Sequence, residues 1–270
     1  MMIRIGTVWD RTCEVIAGRA GLLAWLAGLF LFLPSLLQTI LRFVAASGGA
    51  GGGLRVLAAL VGLAVLVLAI WGVLAMTAMA SDPAVDRHRA VAIARRRLPA
   101  GIGVLLVAML VTVIVVAVPM TWLLAGNVDM AKLQQGAPPV IDPSRAGSAM
   151  IGFLILAIAA LWVSARLVPL FAVVTNERRG LGAFARAFAL TRGSTLKLLG
   201  VMVLYAIVAV VLLTAVTWVF GSVGQIVFGR TGAFLLVALA TSVLTAGFSV
   251  VQAVFSAQFY GAAREQLDRA

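Results

Sequence analysis

Residues 54–79 read LRVLAALVGLAVLVLAIWGVLAMTAM, an unbroken apolar run in which Arg55 is the one charged side chain. A helix of ~20 mostly apolar residues is long enough to cross the hydrocarbon core of a bilayer. Five further runs of this kind occur along the chain, each with ends uncertain by a few residues. They are about Ala20–Val44, Pro99–Ala125, Ala149–Val174, Leu198–Phe220 and Ala233–Phe259.

These runs are continuous and do not alternate between apolar and polar residues. A segment in lipid must satisfy its own backbone hydrogen bonds, and a continuous apolar run does so as a helix. The sequence therefore predicts an all-α integral membrane bundle of six transmembrane helices, forming a single polytopic domain over residues 1–270. The first two runs are joined by a Gly-rich turn, Ala46–Gly53, and the third and fourth by an irregular connection, Gly126–Gly147.

The composition excludes a water-soluble globule and a disordered chain. Apolar residues make up 63% of the 270 residues and charged residues 11%, and the mean hydropathy is +1.13. A soluble domain is about half apolar and a quarter charged, and a disordered chain is still less apolar. The net charge of +12 comes from basic residues grouped between the apolar runs, which favours anionic lipid headgroups over nucleic acid as the partner.

The distribution of basic residues predicts the orientation of the chain. With the N-terminus inside, fifteen Lys and Arg lie in inside segments and five outside, which predicts cytoplasmic termini in the inner (plasma) membrane. The inside set is Arg4, Arg11, Arg19, Arg87, Arg89, Arg95, Arg96, Arg97, Arg178, Arg179, Arg186, Arg192, Lys197, Arg264 and Arg269. The outside set is Arg42, Arg55, Lys132, Arg145 and Arg230.

Three inside segments share a spacing of Arg and apolar residues: 11–18, 89–96 and 186–193. Each precedes an apolar run, which indicates three repeated units, each an amphipathic cytoplasmic helix followed by a helix hairpin. In such a helix the apolar side chains enter the acyl boundary and the Arg side chains reach the phosphates. The alternative is that the positive-inside rule alone enriches these segments in Arg.

The chain carries no recognisable catalytic or metal-binding motif. Cys13 and His88 are single, so neither an internal disulfide nor a closed zinc site can form from them. The nine carboxylates are scattered, and no nucleophile motif occurs. We expect no enzyme activity, no catalytic residues, no metal and no cofactor.

The stretch 162–193 carries a resemblance to a known family. It reads WVSARLVP at 162–169, ERRG at 177–180 and AFARAFALTRG at 183–193. This resembles the membrane domain associated with glycerophosphoryl diester phosphodiesterases and a related group of uncharacterised six-helix inner-membrane proteins. The chain departs from that pattern at Ala187, where a Ser or another polar residue is usual. The resemblance implies a membrane module without the soluble catalytic barrel.

Arg166 is the charge that the predicted spans place deepest, eleven residues or roughly 16 Å below the cytoplasmic boundary at Glu177. An ionised Arg there costs at least ~2.5–3.5 kcal/mol unless it is paired or hydrated. One interpretation is a site for a lipid phosphate or another anion, formed by Arg166 and Gln252 with the interfacial Arg186 and Arg192. The other is a structural Arg bonded to helix carbonyls and to Gln252.

Pro and small residues predict how the helices pack. Pro34, Pro119 and Pro169 are expected to kink their helices. Two faces with small residues four positions apart are expected to pack within the chain, with a dimer interface as the alternative. They are Ala20, Ala24 and Gly28, and Ala238, Ser242 and Ala246.

The sequence therefore predicts a non-catalytic membrane protein that engages anionic lipid headgroups in membrane homeostasis. The alternative is a transporter or permease subunit for a small anionic or lipidic solute, although no Asp or Glu falls in a span to relay protons. Expected partners are membrane lipids and no nucleic acid; a homo-oligomer or an unidentified membrane partner is left open.

Overall fold

The computed structural model describes residues 4–46, 52–117, 143–177 and 179–268, and within these ranges all regular structure is helical. The prediction of an all-α chain with long apolar helices is confirmed. The helices are α1 (Ile5–Ala27), α2 (Leu33–Ala46), α3 (Gly52–Ser81), α4 (Arg87–Thr112), α5 (Pro143–Leu167), α6 (Leu170–Glu177), α7 (Ala183–Leu190) and α8 (Thr195–Leu267).

The first predicted span is built from α1 and α2. Helix α1 bends at Arg19, whose backbone is not helical (φ −130°, ψ 21°), one residue before the predicted start at Ala20. A π-helical turn, Gly28–Phe32, joins α1 to α2 just ahead of Pro34. Since proline has no N–H and clashes with the carbonyl four residues earlier, this wider turn accommodates Pro34 without ending the helix.

Helix α4 extends further towards its N-terminus than the predicted third span. It begins at Arg87, where the Asp86 side chain accepts a hydrogen bond from the Arg89 N–H at 2.8 Å, and it continues through Pro99. The second basic segment, 89–96, is therefore part of the same helix as the apolar run. The first basic segment, 11–18, lies in the part of α1 that precedes the bend at Arg19. The third belongs to a separate short helix, α7, and the turn after it, flanked by Gly180, Gly182 and Gly193.

The fourth predicted span is two helices. Helix α5 ends at Leu167 and α6 begins at Leu170. The helix is therefore interrupted at Val168 and Pro169, as expected for a proline. Helix α5 starts at Pro143, which makes the last residues of the predicted connection Gly126–Gly147 helical. The rest of that connection lies outside the described residues, and so does Pro119, near the end of the third predicted span.

Helix α8 contains the fifth and sixth predicted spans. Its backbone leaves the helical conformation at Gly229 (φ 70°, ψ −171°), where the chain reverses. The reversal brings Tyr205 and Phe248 together: the Tyr205 hydroxyl donates to the Phe248 carbonyl at 2.9 Å, and the rings lie 5.4 Å apart. Helix α8 is thus an antiparallel hairpin with arms 195–228 and 230–267, as the two predicted spans require.

The core lies where α3 packs against α1, α2, α4, α6 and α8. Its fully buried side chains include Leu23, Leu74, Met79, Val174 and Phe259, which come from four of these helices. The small residues Ala238, Ser242 and Ala246 are buried, so that face packs within the chain as predicted. The first small-residue face does not, because Ala20 and Ala24 are exposed and α1 packs through Leu23, Leu26 and Ala27.

Candidate functional site

Arg166 lies one residue before the end of α5 and contacts α7. Its Nη1 donates to the Phe188 carbonyl oxygen at 3.2 Å. The guanidinium carbon is 4.9 Å from the centre of the Trp162 ring and 5.7 Å from that of Phe188. Two aromatic faces therefore stabilise the cation where the helix break at Pro169 brings it beside α7.

One donor of Arg166 is left without a partner. The Nε atom is buried, and it makes no hydrogen bond to any atom of the described residues. A guanidinium has five N–H donors in a fixed fork, and an unpaired buried donor costs about 1–3 kcal/mol. The site therefore has capacity for an acceptor that the described part of the chain does not supply.

Gln252 is not the partner of Arg166. Its side chain is exposed, and the hydrogen bond from α8 to this region comes instead from Ser256, whose hydroxyl donates to the Val168 carbonyl at 2.7 Å. The prediction matched Gln252 to Arg166 by depth along straight helices. Depth along one helix does not determine the side chain's lateral position, and α5 breaks just beyond Arg166.

Arg186 is held by a carboxylate. Its Nε donates to Glu177 Oε1 at 2.9 Å, and Arg179 Nε lies 3.1 Å from the other oxygen of the same carboxylate. The Tyr260 hydroxyl also donates to Glu177 Oε1, at 3.2 Å. With its side chain 12% exposed, Glu177 joins α6, α7 and α8 and neutralises Arg186. Arg186 is thus paired, two residues along α7 from the carbonyl that Arg166 contacts.

Tyr260 lies one residue past the last predicted span. Burial and, after it, the negative charge of Glu177 raise the pKa of the Tyr260 phenol. The phenol therefore stays protonated at neutral pH and acts as a donor to the carboxylate.

Arg192 lies in the turn that follows α7, and its side chain is exposed. The structure thus gathers three of the four predicted site residues in or beside α7: Arg166 against a backbone carbonyl, Arg186 in an ion pair and Arg192 facing outwards. Gln252 is the residue that it leaves apart.

Arg19 forms a site that sequence reasoning missed. Its Nη1 donates to the carbonyls of Met79 at 2.7 Å and Asp82 at 3.3 Å, and its Nη2 donates to that of Pro83. The guanidinium thereby satisfies backbone acceptors at the end of α3, where a helix leaves its last carbonyls free. No local pattern predicts this contact, since Arg19 and Met79 lie 60 positions apart.

The ends of α3, α6 and α8 meet beside Arg19. The Asn176 amide donates to the Ser81 hydroxyl at 3.0 Å, and the Gln258 amide donates to the Ala80 carbonyl at 2.8 Å. We call this group, Arg19, Ser81, Asn176, Glu177, Gln258 and Tyr260, the polar end. It joins four helices at one end of the bundle, which is the end where the three basic segments also lie.

Comparison with protein-family models, with curated proteins and with solved structures finds no match to this chain. Among residues 4–46, 52–117, 143–177 and 179–268, no three His, Cys, Asp or Glu side chains are grouped so that they could hold a metal ion.

Proposed function

We propose that this chain is an integral membrane protein that crosses the inner (plasma) membrane six times. The observation that carries the proposal is the exposure of its apolar helices. Five helical stretches are long and apolar enough to cross a bilayer, and in the most apolar part of each no more than 22% of the residues are buried. The hairpin at Gly229 divides the last stretch into two, which gives six crossings.

The side chains that face outwards are those that hydrocarbon would solvate. Leu204 and Val210 on the first arm of α8 are each 63% exposed, and Trp218 further along is 72% exposed. Large contiguous apolar surfaces are rare on monomeric soluble proteins. A surrounding bilayer accounts for this surface on α3, α4, α5 and α8 together.

We infer the orientation from the polar end. Fifteen of the 21 Lys and Arg belong to the segments predicted to lie inside, which include the three basic segments at this end, and short basic loops stay in the cytoplasm. The polar end is then cytoplasmic, with both termini on that side, and the reversal at Gly229 faces the other side of the membrane.

Within this membrane protein, we propose a non-catalytic role in which Arg166 engages the phosphate of an anionic lipid. Supporting it are the unpaired Nε, the aromatic contacts and the position of Arg166 beside α7. An Arg–phosphate contact uses neighbouring N–H donors of the guanidinium together. This role agrees with the resemblance to the membrane domain of glycerophosphodiester phosphodiesterases.

Lipid binding by matched variants tests this role. Wild type, Arg166→Gln and Arg89→Gln would be purified in mild detergent and titrated with phosphatidylglycerol and phosphatidylcholine, with bound lipid counted by native mass spectrometry. Arg89 is exposed and lies near the same end, so its variant removes an equal charge without touching the site. We expect Arg166→Gln to weaken phosphatidylglycerol binding about fivefold.

The control variant should bind phosphatidylglycerol as the wild type does, and phosphatidylcholine binding should stay unchanged in all three proteins. Equal phosphatidylglycerol binding by the wild type and Arg166→Gln would show that Arg166 has a structural role only. Wild-type protein that stays in the aqueous fraction after alkaline extraction of membranes would refute membrane insertion itself.

A further inference from the structure

The α2–α3 hairpin contains a cavity that the proposed function does not use. The cavity measures about 480 Å³ and lies where the C-terminal part of α2 meets the N-terminal part of α3. This volume is within the range of small-molecule sites. Its lining residues are Arg42, Ala45, Arg55, Ala58 and Ala59.

The cavity is far from the polar end. Arg55 precedes Ser81 by 26 residues on the same helix, which corresponds to about 39 Å along the helix axis. The hydrocarbon core of a bilayer is about 30 Å thick. If the polar end lies at one membrane interface, Arg42 and Arg55 therefore lie at the opposite one, where the phosphates of the second leaflet are found.

The two cations in the cavity have no acidic neighbour along their own hairpin. The sequence contains no Asp or Glu between Glu14 and Asp82, so neither α2 nor α3 can supply a carboxylate. Two like charges beside a low-dielectric surface repel each other, and an anion placed between them removes the repulsion. Guanidinium groups also match the oxygen geometry of a phosphate better than any other side chain.

Gly62 leaves room on α3 for the Gln38 side chain, next to Arg42. A Cβ atom at Gly62 would come within 2.7 Å of the Gln38 amide nitrogen and 3.6 Å of Arg42 Nη2. The absence of that Cβ lets the polar side chains of α2 lie across α3 one turn from Ala58. The rest of the lining consists of alanine methyl groups, which leave room for an apolar chain beside the cations.

We propose that this cavity binds the phosphodiester headgroup of an anionic phospholipid in the leaflet opposite the polar end. Arg42 and Arg55 hold the phosphate oxygens, and the acyl chains run along exposed apolar side chains of α3 such as Val56 and Leu60. The chemistry that is recognised is a phosphate anion, and the open alanine-lined shape selects a lipid over a free ion. The inference rests on membrane insertion but not on Arg166.

The test uses the whole protein in mild detergent, with phosphatidylglycerol as the anionic probe and phosphatidylcholine as the neutral one. Native mass spectrometry would follow lipid binding to the wild type, Arg42→Gln, Arg55→Gln and the double variant. Each single variant should weaken the binding of the phosphatidylglycerol molecule in this cavity about fivefold and the double variant about thirtyfold, while the molecule bound through Arg166 is retained. Phosphatidylcholine binding should not change.

Two further variants distinguish the geometry of the cavity from the loss of positive charge at this end of the protein. Arg230→Gln removes an exposed cation at the same end, four residues before Phe234, whose ring stacks on Phe43 at 4.0 Å. It does not line the cavity and should bind lipid as the wild type does. Gly62→Leu keeps every charge but displaces Gln38 and Arg42, so it should also lose phosphatidylglycerol binding, with its helix content unchanged in circular dichroism.

Three results would overturn the proposal: wild-type binding by the double variant, an equal loss in Arg230→Gln, or displacement of the lipid by millimolar inorganic phosphate, which would mark a free-ion site. Failure here is distinct from failure of the proposed function. A protein that inserts and binds lipid through Arg166 alone refutes this cavity only, whereas a protein that does not insert refutes both.

Discussion

Two charged side chains, Arg19 and Glu177, join different helices at the polar end. Arg19 satisfies the carbonyls that end α3, and Glu177 collects donors from Arg186 and Tyr260 on two other helices. Hydrogen bonds to charged groups are among the stronger polar contacts in proteins, since the charged partner strengthens each of them. The hydrogen bonds of the polar end therefore hold four helices in fixed relative positions.

Glu177→Gln should destabilise the folded protein by weakening the polar end. The substitution keeps the shape but removes the charge, and it leaves Arg186 without its carboxylate at a site where that side chain is 26% exposed. We expect a loss of about 1–3 kcal/mol in the free energy of unfolding. Thermal or denaturant unfolding in mild detergent measures it.

Glu14→Gln is the matched control, because Glu14 is exposed and lies near the same end of the bundle. It should unfold like the wild type. If the two variants unfold alike, the Glu177 network contributes nothing to stability.

At the level of secondary-structure elements, three interruptions change the direction of the long apolar helices. The π-helical turn Gly28–Phe32 accommodates Pro34, and Pro169 separates α5 from α6. Gly229 reverses α8 with a backbone conformation (φ 70°, ψ −171°) that glycine adopts readily and other residues do not. Each break changes the direction of an otherwise continuous apolar helix and so decides which helices can pack together.

Gly229→Ala should weaken the α8 hairpin. No atom lies within 4 Å of the added Cβ, so the cost is the backbone strain alone, about 1–3 kcal/mol. Gly247→Ala provides the comparison: Gly247 is helical and exposed and has equal space, and alanine there should stabilise the helix by about 0.5–1 kcal/mol. Unfolding in detergent measures both, and an unchanged stability of Gly229→Ala would show that the turn tolerates a side chain.

For the whole molecule, the arrangement of helix ends predicts which positions share a side of the membrane. The contact between Asn176 and Ser81 ties the end of α3 to that of α6, and the pair of Arg186 with Glu177 adds α7. His88 lies at the start of α4, shortly after the end of α3, and Arg192 lies just after α7. Both side chains are exposed. They should lie on one side, with Arg230 on the other.

Cysteine labelling tests this arrangement. In a Cys13→Ser background, His88→Cys and Arg192→Cys should react with an impermeant maleimide in inverted membrane vesicles and stay protected in right-side-out vesicles. Arg230→Cys should show the reverse. Labelling of His88→Cys and Arg192→Cys from opposite sides would contradict both the six crossings and the joint position of the basic segments.

The sequence predicted the helical class and the apolar runs because the transfer of side chains from water to oil is a local property, summed residue by residue along the chain. It also predicted the separation of the last two runs, since 221–232 contains four glycines and Arg230. The start of α4 at Arg87 was missed, because a basic segment can continue a helix as readily as it can interrupt one.

What hydropathy determined by itself was therefore how much of the chain is helical and apolar, and where its charges cluster. Only the tertiary structure decided which charge meets which partner: Arg19 with the end of α3, Arg166 with Phe188 instead of Gln252, and Arg42 beside Arg55. Such pairings depend on helix rotation and on breaks such as Pro169, and these result from packing between segments far apart in sequence.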